Sequence, residues 1–301
     1  MGEVGVKPLN WFMKKYVIFG TVVFLYFAGL VLYQSYRLND GKLHVIICDV
    51  GQGDGVIIRT PDGRVILFDG GPDKKVLGCL SRALPFWERS IDLVLLSHPH
   101  ADHLNGLIDV FKQYQVEQFA TEELANSSEG FGALEAAVKK ESLVWQTLLD
   151  GDTIAMSRGV KLTVVGPTRE YLQKTSVDGH INSNEFASLE LLLSYGNFTL
   201  LLTGDSQYQQ MSQAILAHPD LLSQITVLQE PHHGSRTGIT PEIIKVLSPE
   251  LATISVGAKN TYGHPAPSVL SILQNARVQI HRTDKEGDLK LITDGKSYNL
   301  Q

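Results

Sequence analysis

Residues 43–301 predict an α/β domain, and residues 16–34 predict one membrane-spanning helix ahead of it. Three observations carry this reading. Tyr16 to Gln34 contain no charged side chain and are dominated by Val, Ile, Phe, Leu and Tyr; an apolar run of ~18 or more residues is long enough to span a bilayer. From Leu43 onward, short apolar runs alternate with segments of helical spacing, the rhythm of an α/β fold. Several of those runs end in loops crowded with imidazoles and carboxylates.

The N-terminal segment comes first. Trp11, Phe12, Tyr16 and Tyr33 lie near the two ends of the apolar run, as interfacial aromatics do. Lys7, Lys14 and Lys15 precede it, while Arg37 and Lys42 follow, which favours the N-terminus inside and the bulk of the chain outside. The run is longer than the core of a cleaved signal, and its exit, "LVLYQSYRL", lacks a small-x-small site. The expectation is a cytoplasmic tail (1–15), a single-pass cell-membrane anchor (16–34), a polar linker (35–42, "SYRLNDGK") and an extracellular domain (43–301).

Within the domain, "KLHVIICDV" (42–50) reads as a strand, followed by a turn at "GQGDG". "VIIRT" (56–60) and "RVILFDGG" (64–71) flank Pro61-Asp62-Gly63, a hairpin turn. Helical spacing follows at 74–84, a strand at 91–96, and a helix at 104–113 that Asn105 and Gly106 are expected to start. Residues 114–160 hold a strand, a helix and a hairpin, with "DGD" (150–152) as its turn. Strands are expected at 160–165, 187–195, 198–203, 224–229, 251–257, 278–282, 287–292 and 297–300. Helices are expected at 206–217, 241–248 and 267–275. "TDKEGD" (283–288) reads as a hairpin turn. The stretch reads as one domain with two similar halves.

Charge narrows the function. Residues 1–42 hold five basic and two acidic side chains, so 43–301 retain 21 basic against 30 acidic, a balance of −9. A surface that coats itself in nucleic acid is usually basic, so the balance does not support a broad DNA-binding face, while it leaves room for a narrow site for one phosphate. Cys48 and Cys79 sit among apolar neighbours and cannot build a zinc cage alone; they are expected as buried free thiols, with one disulfide as the alternative outside the cell.

The segment "SHPHADHLNG" (97–106) carries the chemistry. His98 and His100 alternate, so an extended backbone points them the same way. Asp102 and His103 stand at the entry to a helix. Imidazole nitrogen and carboxylate oxygen hold Zn²⁺ or Mn²⁺, and two ligand pairs this close point to two ions, one on His98 and His100, the other on Asp102 and His103. Downstream, "FTLLLTGD" (198–205) ends in Asp205, "EPHHGS" (230–235) offers His232 and His233, and "TYGHPAP" (261–267) offers His264.

The ordered set "DVGQGDGVIIRTPDGRVILFDGG", "SHPHADHLNG", "LLLTGD", "PHHGS" and "NTYGHP" resembles the metallo-β-lactamase fold superfamily, in its competence-protein branch, over about residues 45–300. The resemblance implies an αββα sandwich, two divalent ions (Zn or Mn), Asp205 as the bridging carboxylate and Asp102 as a participant in proton handling. One of His232 and His233 is expected as a ligand, with His232 preferred, and the other as a substrate contact. His264 is expected to contact a phosphate or protonate a leaving group, or else to pack in its Gly-His-Pro turn. The family's third histidine on the first ion has no evident counterpart. An Asn-rich segment ahead of a Ser-Leu strand stands there instead, with Asn184, Ser188 and His180 as candidate supplements. Ser235, Arg236 and Thr237 suit an anionic substrate. Asp49, Asp54 and Asp69 are expected to brace the site or its turns, with at most Asp54 approaching it, and Gly51, Gly53 and Gly55 to permit a tight bend. The expected activity is metal-dependent hydrolysis of a phosphodiester by a metal-activated hydroxide. Extracellular DNA is the first substrate candidate and cell-wall or lipid head-group phosphodiesters the second; a catalytically weak anchored metal- or nucleic-acid-binding module is the alternative.

Overall fold

A computed structural model describes residues 11–122, 126–175 and 187–301. The chain divides into two compact units, Met1–Asp40 and Gly41–Gln301. In the first, one helix runs Trp11–Leu38. It extends past the expected 16–34 at both ends, because no glycine or proline interrupts the flanking residues until Gly41. Its Met13–Tyr36 stretch, with mean hydropathy 2.1, is long and apolar enough to cross a membrane.

The second unit is built on two sheets. The first has eight strands in the order 298–300, 289–293, 43–47, 56–59, 65–68, 93–96, 119–121, 145–147. The second has seven, in the order 279–282, 251–254, 227–229, 198–202, 190–195, 161–166, 153–155. Both are mixed. In the first, Val65–Phe68 and the three strands beyond it run parallel. In the second, Phe198–Leu202, Val227–Gln229, Leu251–Ile254 and Gln279–Arg282 run parallel.

Alternation along these strands explains the layers. Val45, Ile58, Ile66 and Leu95 from one sheet pack against Leu162, Leu191, Leu200 and Val227 from the other, forming the inner core. The intervening side chains Ile57, Leu67 and Val94 face outward onto Val76, Leu107 and Leu134 of helices Lys75–Ala83, Ala101–Gln113 and Glu129–Lys140. The opposite face of the second sheet takes Met211, Ile244 and Leu273 from helices Tyr208–Ala217, Pro241–Leu247 and Pro267–Asn275. The strands therefore read as near-continuous apolar runs, since both faces are covered. Each fully buried aliphatic side chain contributes roughly 1.5–3 kcal/mol. The architecture is the αββα sandwich.

Four expectations need correcting. Cys48 and Cys79 form a disulfide instead of standing as free thiols; strand-end and helix bring their Cα atoms to 5.8 Å, inside the bridging range. Residues 150–152 and 283–288 are not hairpin turns. Strand 145–147 lies in the first sheet and 153–155 in the second, so 148–152 crosses between sheets. Residues 283–286 form a short helix in the return crossing, after which strand 289–293 pairs antiparallel with 43–47. The two halves are thus not sequence-contiguous. Finally, the helix expected at 104–113 begins at Ala101, with His100 as its N-cap. Gly106 sits inside it, where a Cβ would collide with the Gly70 carbonyl; its N–H donates to Gly71 O at 2.9 Å.

Candidate metal centre

In each sheet the parallel strands run the same way, so their carboxyl ends form one rim, the place where α/β proteins gather ligands. Asp69 follows strand 65–68, His98 to His103 follow 93–96, Asp205 follows 198–202, His232 and His233 follow 227–229, and Ser255 follows 251–254. The two rims meet, which brings residues separated by more than a hundred positions within a few ångströms.

Asp205 stands at the middle. Its Oδ1 lies 3.2 Å from His103 Nε2 and 3.4 Å from His233 Nε2. Its Oδ2 lies 3.7 Å from His98 Nε2 and 3.6 Å from His232 Nε2. Asp102 Oδ2 is 3.4 Å from His233 Nε2. Three donor groups result among the described residues: two share Asp205, namely Asp102, His103, Asp205 and His233, and His98, His100 and Asp205; the third is Asp54, Asp69 and His103. The Nε2 atoms of His98, His103 and His233 and Oδ1 of Asp205 are buried and make no hydrogen bond. Buried polar atoms are ordinarily paired. Donor atoms that converge without bonding one another fit divalent cations, and imidazole with carboxylate is the donor set of Zn²⁺, Mn²⁺ or Fe²⁺.

The opposite edges of these rings are tied down. Ser97 Oγ donates to Asp69 Oδ2 at 2.7 Å, and the Ser97 N–H donates to Asp69 Oδ1. The same Asp69 Oδ2 takes the His103 Nδ1 proton at 2.8 Å. His98 Nδ1, 3.0 Å from Ser97 Oγ, donates to that hydroxyl, whose own proton is already committed. One buried carboxylate thereby orients a histidine in each of the groups that share Asp205, turning both Nε2 atoms inward. His233 Nδ1 donates to the Ser255 carbonyl at 3.0 Å. Asp54 is 3.6 Å from His233 Nδ1 and 3.9 Å from His103 Nδ1. It reaches there because Gly51 and Gly53 take positive φ, and a Cβ on Gly53 would strike the Asp102 carbonyl.

Electrostatics follow from this crowding. Burial works against charge on His233, but Asp205 and Asp54 override it and push its pKa up to about 10. His103 is likewise raised against burial by Asp205 and Asp69. Burial, joined by the charge on His103, holds His98 well below its ordinary value. Asp205 stays far below the carboxylate range despite burial, because His103 and His233 face it. Protons on His103 and His233 therefore occupy the positions that a cation would take.

The sequence-predicted residues distribute as follows. His98, His100, Asp102, His103 and Asp205 come together. His232 and His233 occupy a 3₁₀ turn, Pro231–Gly234, in which both take left-handed φ, 51° and 57°. That backbone throws the two rings apart, 6.2 Å between centroids and 77° between planes. His233, 2% exposed, falls in the four-donor group, whereas His232, half-buried, faces Asp205 Oδ2 from the open side. The His264 ring lies 5.9 Å from His232. Ser235 and Thr237 hydroxyls are 3.2 Å apart on the loop beyond, and Arg236 is exposed there. Asn184 and His180 lie outside the described residues. Ser188 does not point at either group that shares Asp205; its Oγ accepts from the Asp205 N–H at 3.1 Å. Sequence reasoning missed Ser97 and Ser255, which hold the histidine rings; only their positions at strand ends could have flagged them.

The family model for the Metallo-beta-lactamase superfamily matches residues 48–258, from the disulfide cysteine at the first strand end to the loop beyond Ser255. The chain belongs to the metallo-beta-lactamase superfamily. Most members are metal-dependent hydrolases, and this chain's His/Asp groups could bind metal accordingly. Among curated relatives, ComE operon protein 3 of Bacillus subtilis (strain 168) is 26% identical over 94% of this chain and 36% of that protein. Competence protein ComA of Neisseria gonorrhoeae is 27% identical over 88% of this chain and 34% of that protein. The chain thus spans about a third of the length of these relatives, and places among metallo-beta-lactamase domains of the competence branch. Of solved structures, the metallo-beta-lactamase fold protein YhfI from Bacillus subtilis matches with TM-score 0.55 at 12% identity, covering 84% of this chain and all of that one. CmlA, a diiron β-hydroxylase from Streptomyces venezuelae, matches with TM-score 0.51 at 16% identity, over 80% and 52%. Both share the fold.

Proposed function

We propose that the chain is a membrane-anchored phosphodiesterase that cuts nucleic acid strands at a dinuclear centre. The observation that carries this is the split of Asp205, with one carboxylate oxygen toward His103 and His233 and the other toward His98 and His232. His103, His233, Asp102 and Asp205 would hold one ion, zinc or manganese, and His98, His100 and Asp205 the other; bound there, the pair would supply Lewis acidity to a phosphoryl oxygen and an activated water. In the pair 232/233, His233 is assigned as ligand and His232 as the substrate-facing partner, the reverse of the sequence preference. His264, whose pKa burial and the neighbouring His232 and His233 lower from its ordinary value, is placed with His232 on the open side to contact the phosphodiester. Asp102, the most exposed of the carboxylates, handles the proton. Arg236, Ser235 and Thr237 line the approach of an anion.

Orientation rests on two supports. The Lys7, Lys14 and Lys15 cluster favours a cytoplasmic N-terminus. The Cys48–Cys79 disulfide suits an oxidising compartment, as outside the cell membrane. Competence relatives support DNA as substrate.

The test is turnover by the full chain in detergent, with Mn²⁺ or Zn²⁺, on single-stranded DNA, double-stranded DNA and small phosphodiesters, with His100→Ala as control. DNA cleavage that His100→Ala abolishes is the expected result. The three-donor group favours a second reading, a metal-binding module of weak activity; stoichiometric metal with no turnover of any phosphodiester would establish it instead.

A further inference from the structure

Tyr262 is 72% exposed, on the loop that leads to His264. Its ring lies 5.8 Å from His264, nearly parallel at 27°. His264 in turn stands 5.9 Å from His232, whose Nε2 is 3.6 Å from Asp205. A file of rings therefore leads from the centre outward and ends on a bare aromatic face.

The loop holding that face is fixed. Asn260 Nδ2 donates to the Gly257 and His264 carbonyls at 2.8 and 2.9 Å, and Asn260 Oδ1 accepts from the His264 N–H. One end is pinned to Gln52, which accepts from the Gly257 N–H; the other is pinned by the Ala266 N–H to the Gly234 carbonyl. The backbone that carries the exposed ring is consequently held in place beside the site.

We propose that Tyr262 is a stacking platform for an unpaired nucleobase of the strand whose phosphodiester lies at the Asp205 centre. This rests on the phosphodiesterase reading and adds the substrate class, a single strand or a frayed end. A base continues the ring file with its flat face, whereas a base inside a duplex has both faces occupied. A sugar would need hydrogen-bonding partners for its hydroxyls, and the Asn260 amide is wholly committed to backbone. Lys259, the single charged side chain of residues 257–266, suits a neighbouring phosphate.

The experiment measures binding, not turnover. A fluorescent single-stranded oligonucleotide with phosphorothioate linkages is titrated with Mn²⁺-loaded full chain in detergent, beside an abasic strand of equal length. Tyr262→Ala is expected to raise the dissociation constant for the normal strand about tenfold, as loss of one stacked base does. Tyr262→Trp is expected to retain binding, with indole emission quenched by the normal strand and not by the abasic one. Equal affinity of normal and abasic strands, or unchanged binding by Tyr262→Ala, overturns the platform. So does a sugar-phosphate polymer that competes as well as the oligonucleotide and loses affinity in Tyr262→Ala. A chain that shows the expected stacking yet hydrolyses no phosphodiester refutes the proposed activity and not the platform.

Discussion

The two donor groups that share Asp205 are unequal. Asp102, His103, Asp205 and His233 offer four atoms, and His103 and His233 are fully enclosed, with Nδ1 protons fixed by Asp69 and by the Ser255 carbonyl. His98, His100 and Asp205 offer three. His98 is braced only through Ser97, and half-buried His100 touches it edge to face at 4.4 Å. One group is closed in the manner of a holding site, the other open in the manner of a site that exchanges its ligands. The difference teaches that one six-residue motif, H-x-H-x-D-H, feeds both a four-donor and a three-donor group, because only its last histidine lies inside the helix Ala101–Gln113.

The largest effect comes from removing what the groups share. Asp205→Ala is expected to empty both positions and to lower phosphodiester turnover by at least ~10³-fold, since both ions and their catalytic terms are lost together. Elemental analysis of the purified protein and a turnover assay check it. Retention of both ions would separate Asp205 from the centre. His100→Ala and His233→Ala then test the inequality itself. His100→Ala should leave one tightly held ion per chain, while His233→Ala should cost the higher-affinity ion, as read by calorimetric titration. Equal loss from the two variants contradicts the tight-and-loose assignment. Asp69→Asn keeps the shape but weakens the acceptor behind both His103 and Ser97. It is expected to reduce metal affinity ~10–100-fold in both positions, the usual effect of disturbing the partner of a ligating histidine.

Much of the fold was legible in the sequence, and the site in part, for identifiable reasons. Strands with both faces covered announce themselves as apolar runs, so 93–96, 198–202 and 251–254 fell where expected, and ligands at their ends followed. What failed was whatever depended on pairing at a distance. Sequence adjacency does not show that the His232 and His233 rings part, because two left-handed backbone angles in one turn send His233 into the four-donor group and His232 to the open side. Asp69 reads as one of several acidic residues near glycines, and only the fold shows it beneath two imidazoles. Cys48 and Cys79, 31 residues apart, carry no spacing signal. The crossings at 148–152 and 283–288 look like hairpin turns because the polar, glycine-bearing composition of a sheet-to-sheet connection is the same.

The disulfide sharpens the comparison from outside. Cys48 immediately precedes the loop that carries Asp54 between the His103 and His233 rings. Breaking the bridge in Cys48→Ser/Cys79→Ser releases a loop whose closure is worth about 3–4 kcal/mol at this separation. Thermal unfolding should show the loss, and metal titration should show the four-donor position weakened more than the three-donor one. A drop confined to the three-donor position would place the support elsewhere.

The smallest effect concerns acid groups beside the centre but outside both donor sets. Glu190 opens strand Glu190–Tyr195 of the second sheet, and Glu122 follows strand Phe119–Thr121 of the first. Burial, reinforced by Glu190, pushes Glu122 well above its ordinary value. Burial likewise pushes Glu190 up to about 7, with the Asp150 charge adding to it. The folded chain therefore holds the Glu190 proton more tightly than the unfolded chain, whose carboxyl titrates at 4.5. Stability from this group is fully present below about pH 4.5 and is lost as pH rises through about 7, a change of roughly 3 kcal/mol. Glu190→Gln mimics the protonated form and should flatten that part of the pH profile, making the variant more stable than the parent at pH 8 and little different at pH 4.5. Ser188 and Gln210, whose hydrogen bonds position the Asp205 loop, lie in the same layer, so the variant also asks whether ionisation here disturbs the shared carboxylate. If it does, metal affinity of the parent should fall above pH 7 while that of Glu190→Gln continues to rise as the ligand imidazoles lose their protons.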